Sequence, residues 1–195
     1  MVIKTQGLIL KQRNVGEKDK FITVLSRDRG VIEASARGVR SVKSKILSGT
    51  QPLCFSDLTL YEGKSSFVVN DAQVLESFYN IRLDIEKTAL ASYFCELLGF
   101  IVPSEEEAEG YLRLALNTLS YLCTDSPSPL FLKTVFEWKL MCLSGFAPDV
   151  PGCDSCGESD GEEFYFYPAE GVIRCRGCAV SGEQVRFALV KPVLA

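Results

Sequence analysis

The spacing of apolar residues changes once along this 195-residue chain, and that change limits the folds open to it. From Val2 to about Phe78 apolar side chains tend to alternate with polar ones in the runs GLILKQ, FITVLS, GVIEASA, LCFSDLTLY and SFVVNDAQVL. A period of two turns one face of an extended chain toward a core, so these runs predict five strands. After Asn80 the period lengthens. Leu90, Phe94, Leu97, Leu98 and Ile101 share one face of a helix that Pro103 closes, and Ser128-Pro129 and Gly145 bracket another. Between them, Ser104 and Glu107 form a capping-box pattern that predicts a helix start, with the helix running to about Cys123.

Five short strands with one long internal connection, 39–51, suit a small barrel of the OB type, although periodicity alone also allows an SH3-like barrel. A stretch rich in Gly, Pro, Cys and acids follows Pro148 and marks a third, small unit. The fold class expected is α+β and multi-domain. An OB-type β-barrel spans 1–79, an α-helical domain spans 80–148 and is completed by 179–195, and a zinc-ribbon-like four-cysteine module spans 149–178.

Cys153-x-x-Cys156 and Cys175-x-x-Cys178 stand eighteen residues apart. That spacing reads as a zinc site, because each two-residue gap lets one tight turn present two sulphurs to a single tetrahedral ion. Phe164–Tyr167 and Gly171–Ile173 read as the hairpin that brings the turns together. Two disulfides, exchange-active dithiols or an iron-sulphur cluster are the alternatives; no thioredoxin-like βαβ pattern surrounds either pair. Four protein ligands leave no position for water or substrate, so one zinc ion here would be structural. Cys54, Cys95, Cys123 and Cys142 lie among apolar neighbours and are expected to be buried.

Net charge is -4, yet it is unevenly spread. Residues 1–50 carry eleven Lys and Arg against four acids, whereas 51–195 carry ten against twenty-one. The stretch ARGVRSVKSK holds Arg37, Arg40, Lys43 and Lys45 with no acid among them, and Lys11, Arg13, Lys18, Lys20, Arg27 and Arg29 precede it on strands and in turns. A basic barrel on an acidic body points to a polyanion partner. The sequence contains no histidine, which removes the commonest general base at neutral pH and every Cys/His arrangement. Much enzyme chemistry is thereby disfavoured.

These parts together resemble the RecO family of bacterial recombinational-repair proteins. The resemblance rests on TQGLILKQRNVGEKDKFITVLSRDRGVIEASARGVR in the barrel, then LCFSDLTLYEG and VLESF, then LMCLSGFAPDVPGCDSCG leading into the first cysteine pair. It implies binding of single- and double-stranded DNA, annealing of complementary strands, and work with RecR and single-stranded-DNA-binding protein to load RecA. It brings no catalytic residues. Lys11, Arg13, Arg27, Arg29, Arg37, Arg40, Lys43 and Lys45 would line the DNA surface, and the four paired cysteines would hold zinc. Members of the family usually continue with further helix, whereas this sequence ends soon after RFALVKPVLA. The competing reading is a zinc-containing scaffold whose basic barrel meets an acidic protein partner. Neither a secretory signal nor an apolar stretch of bilayer length is evident, so the expectation is a cytoplasmic, nucleoid-associated protein with no membrane partner.

Overall fold

The computed structural model describes residues 1–63, 66–124, 126–179 and 187–190. The chain divides into two compact units, Met1–Ser144 and Gly145–Ala195.

The first unit opens with five strands: β1 (Val2–Val15), β2 (Asp19–Ser26), β3 (Gly30–Ala36), β4 (Phe55–Glu62) and β5 (Phe67–Glu76). They form a closed barrel in the order β1-β2-β3-β5-β4. β3 and β5 run parallel and every other neighbouring pair is antiparallel, so the expected OB-type barrel is present. Closure depends on β1, whose first half pairs with β4 and whose second half pairs with β2. A register shift between Ile9 and Lys11 accompanies the handover, and such irregularities bend a strand around a barrel corner.

Ile9, Ile22, Val24, Ile32, Ala34, Leu58, Leu60, Val69 and Ala72 fill the barrel. The connection between β3 and β4 closes one end of it. Val39 and Ile46 are buried within the same core, and Gly49 lies so close to the Ala72 carbonyl that a Cβ there would sit 2.5 Å from its oxygen. Ser56 Oγ donates to Gly49 O at 2.9 Å and Thr50 Oγ1 to Ile46 O at 2.7 Å. The long connection is therefore a packed plug.

Helices cover one outer wall. A 3-10 turn (Tyr79–Leu83) leads into α1 (Ile85–Ile101), followed by α2 (Glu109–Leu122) and α3 (Pro129–Leu143). Leu8, Leu10 and Leu25 project outward from the barrel into a second core with Phe94, Leu98, Leu112, Leu119, Phe136 and Leu140. This explains why Leu8, Ile9 and Leu10 are apolar in succession: that part of β1 is covered on both faces. Asp84 caps α1 by accepting from the N–H groups of Glu86 and Lys87, and Ser128 caps α3 by accepting from Phe131. Tyr93 on α1 donates to Glu137 on α3, which Lys133 also reaches at 2.7 Å. Across the same helix pair, the buried rings of Phe94 and Phe136 lie 4.3 Å apart.

The capping-box expectation at Ser104 is corrected by the structure, since α2 starts five residues later. Residues 103–108 instead strap the turn between β2 and β3. Glu105 N donates to Arg29 O and Ala108 N to Arg27 O, so the backbone groups a helix would have used are taken by tertiary partners. Gly30 is fixed by the same contact: its φ is +60°, and an added Cβ would lie 1.9 Å from the Pro103 carbonyl oxygen.

The second unit is a four-stranded sheet in the order β6 (Asp149–Cys153), β8 (Val172–Cys175), β7 (Glu163–Tyr167), β9 (Phe187–Val190). β7 and β8 are the expected hairpin. Of the segment 179–195, expected to complete the helical domain, residues 187–190 pair with β7 as a strand, while 180–186 and 191–195 lie outside the described residues. Phe164, Tyr167 and Ile173 are buried here, so the aromatic run supplies core. No helix among the described residues is long and apolar enough to cross a membrane.

Candidate nucleic-acid interface and metal centre

Strand direction sorts the cations into two groups. The hairpin joining β1 to β2 and the exit of β3 share one end of the barrel, where Lys20 pairs with both Asn14 and Ala36. The basic connection is tied to that hairpin: Arg40 N donates to Lys18 O at 3.1 Å, the Arg40 guanidinium to Gly16 O at 3.1 Å, and Gly38 N to Asp19 Oδ1 at 2.7 Å. Arg13 lies across from Phe21 on the outer face, its guanidinium 4.6 Å from the ring centroid, and Lys11 is one step further along at Thr23. Residues 11–20 and 37–45 thus gather eight cations against two acids, Glu17 and Asp19.

Burial shows how the connection displays its charge. Val39 and Ile46 point inward as anchors, while Arg37, Arg40, Lys43 and Lys45 are exposed. Val42, at the outermost point between Arg40 and Lys43, is 93% exposed. Among the described residues, the side chains of Lys11, Lys18, Arg37, Lys43 and Lys45 make no ion pair or hydrogen bond.

Arg27 and Arg29 stand apart from this group. They sit in the turn between β2 and β3, at the far end of a strand about 23 Å long. Arg27 is 2.5 Å from Glu109, which raises the arginine pKa and lowers that of the glutamate, chiefly through the side-chain hydrogen bond between them. Arg29 is 3.9 Å from Glu62 and lies 5.8 Å from the Phe67 ring centroid. Of the aromatics near the barrel surface, Phe55 packs toward the helices and Phe67 against the barrel core, while Tyr61 remains half exposed. Lys18 and Lys20 join the basic end, a placement that charge counting alone could not give.

In the second unit the four paired cysteines converge. Their sulphur atoms all lie within 4.8 Å of one another. Cys153 ends β6 and Cys175 ends β8; Gly157 N donates back to Cys153 O at 2.8 Å and Cys178 N to Cys175 O at 3.0 Å, folding each pair into a turn. Cys156 and Cys175 sulphurs are 3.7 Å apart. Tetrahedral zinc with bonds of about 2.3 Å spaces its sulphurs by about 3.8 Å, whereas a disulfide brings them to about 2.05 Å. None of the eight cysteines is joined in a disulfide. Burial opposes ionisation of Cys153, but backbone N–H groups from Cys175, Cys156 and Ser155 outweigh it and bring that thiol down to about 6. Hydrogen bonds with Cys156, Cys175 and Cys153 push Cys178 up to about 12. Four sulphurs gathered in this way offer the thiolate donor set of a metal site.

Arg174 pairs with Glu170 at 2.5 Å and Asp154 at 3.5 Å above the Tyr167 ring, and Arg176 lies 4.0 Å from Glu163. Their partners are therefore carboxylates. Of the other cysteines, Cys54 and Cys95 are buried and Cys123 partly so, but Cys142 is exposed, contrary to expectation, because it falls on the outer face of α3.

Comparison with known proteins accounts for both units. Residues 1–78 match the family model described as recombination protein O N terminal, and residues 82–189 match its C-terminal counterpart. The chain belongs to the RecO family. It is 37% identical over 176 residues to the DNA repair protein RecO of Acetivibrio thermocellus, covering 90% of this chain and 70% of that relative. With the DNA repair protein RecO of Alkaliphilus metalliredigens the identity is 33% over 178 residues, covering 91% and 72%. The Dehalococcoides mccartyi protein of the same name is 33% identical over 176 residues, covering 90% and 69%.

Proposed function

We propose that this RecO-family chain is a non-enzymatic DNA-binding protein that anneals complementary strands and mediates RecA loading in recombinational repair, working with a RecR-like protein and single-stranded-DNA-binding protein. One observation carries the reading. Residues 11–20 and 37–45, tied together at one end of the barrel, hold eight cations against two acids, and five of the eight have no side-chain partner among the described residues. Unpaired Lys and Arg displace the counterions of a phosphate backbone, which drives binding without regard to sequence. Lys11, Arg13, Arg37, Arg40, Lys43 and Lys45 form the track in this proposal. Arg27 and Arg29, engaged with Glu109 and Glu62, border it at a distance. Annealing needs no catalytic group: a surface that neutralises both strands lowers their mutual repulsion and leaves base pairing to supply the stability.

The four-cysteine site is proposed to hold one structural zinc ion, supported by sulphur spacing and by a set of four protein donors, which fills a tetrahedral shell and leaves no open position. A DNA-repair role supports a cytoplasmic, nucleoid-associated location as part of this proposal. The test is annealing of two complementary labelled oligonucleotides, with and without single-stranded-DNA-binding protein coating them. Acceleration in both cases supports the reading. No acceleration in either, or strand binding indifferent to salt, would refute it.

A further inference from the structure

Beside the basic end, part of the outer face of β1, β2 and β3 looks across a gap at helix α1. It forms one wall of a cleft of about 980 Å³ whose other wall is α1 and whose floor includes Gln51 and Leu53 of the plug. This lies at the top of the range of roughly 300–1,000 Å³ occupied by small-molecule sites.

We infer that the cleft takes an unstacked base of single-stranded DNA while the flanking phosphates stay outside on Lys11 and Arg13. The inference rests on the DNA-binding reading above and deepens it.

Charge favours this occupant. Lys11 and Arg82 line the cleft together with Glu33 and Glu96, so the lining has no net charge. Arg82 is already committed, donating to Pro52 O at 2.8 Å. A phosphate entering would meet two carboxylates, and an acidic peptide would find no net attraction, whereas a nucleobase is neutral. Gln12, whose Oε1 accepts from Lys20, and Gln51, whose Nε2 donates to Leu47 O, also line the cleft, and between them they keep an amide donor and an amide acceptor for the polar edge of a base. Phe100 lines the cleft from α1 and is 89% exposed, whereas Phe94 and Leu98 of the same helix are buried. An exposed aromatic beside a cationic track is the arrangement by which single-strand binders stack bases irrespective of sequence. Continuity also matters: Lys11 lines the cleft and lies one step along β1 from Arg13, so a strand following the cations arrives at the cleft mouth.

The test compares Phe100→Ala with the wild type on two labelled oligonucleotides of equal length, one ordinary and one with abasic sites along its centre. Thermal melting should be unchanged, since the ring is exposed, and Phe100→Tyr should restore binding. The expected result is about ten-fold weaker binding of the ordinary strand by Phe100→Ala, within the range for a lost base–aromatic stack, and equal binding of the abasic strand by both proteins. Equal affinities on both strands would overturn the inference, as would an equal loss on both, because neither depends on a base. A wild-type protein that binds neither strand refutes the DNA reading and this inference with it.

Discussion

Replacing Arg37 and Lys43 together by alanine removes two charges from the plug without touching its anchors. Both side chains are exposed and free of ion pairs among the described residues, and Val39 and Ile46 keep the connection in place. Six cations at this end, Lys11, Arg13, Lys18, Arg37, Lys43 and Lys45, are not held by an acid or amide. If each meets a phosphate of a single strand, the logarithm of affinity falls with the logarithm of salt at a slope of about -4.2, and loss of two contacts reduces it to about -2.8. Between about 50 and about 200 mM salt the wild type then loses about 300-fold in affinity and the double variant about 50-fold. Fluorescence anisotropy of a labelled oligothymidine across that range measures both. The paired control is Arg27→Ala with Arg29→Ala, which removes the same charge from the other end of the barrel and should leave the slope near the wild-type value. Equal flattening by both pairs, or by neither, would refute the assignment of the track to the plug end.

Three further outcomes are expected. Cys175→Ser should abolish a zinc content of about one ion per chain and expose 145–179 to proteolysis, while the barrel retains its melting transition, because metal-binding energy is folding energy in so small a unit. Gly30→Ala forces a Cβ to 1.9 Å from the Pro103 carbonyl oxygen at φ +60°, which should cost about 3 kcal/mol or more in urea unfolding with the salt slope unchanged. Burial pushes the Cys95 thiol up to about 12, so at pH 8 only about one part in ten thousand is thiolate. Iodoacetamide on the native protein should therefore modify Cys142 and spare Cys95, and stoichiometric labelling of Cys95 would refute the packing described for α1.

The barrel strands were legible because a half-buried strand writes a period of two into its residues; GVIEASA matches the observed Gly30–Ala36. What periodicity could not supply was the ring order, since pairing of β1 with β4 joins residues 47 to 59 positions apart. The same non-local effect misplaced the start of α2: Ser104 and Glu107 satisfy a local rule, but Arg27 and Arg29 carbonyls outbid it for the backbone. The cysteine pairs were readable because a metal centre imposes its own spacing, whereas β6 and β9, at five and four residues, are too short to show a period. The division of the cations into a free cluster and an acid-bound pair was invisible, because Glu109 and Glu62 are remote in sequence from the arginines they meet. Phe100 was hidden for a related reason: an outward aromatic and an inward one look alike until the helix is placed.

Since Val39 and Ile46 fasten the β3–β4 connection into the barrel interior, the charges it bears are held stationary before any strand arrives. Little freedom is then surrendered on contact, so the stiffness of a hydrophobic interior becomes part of the affinity at the surface. Trimming Ile46 to alanine would loosen guanidinium and ammonium groups it never touches.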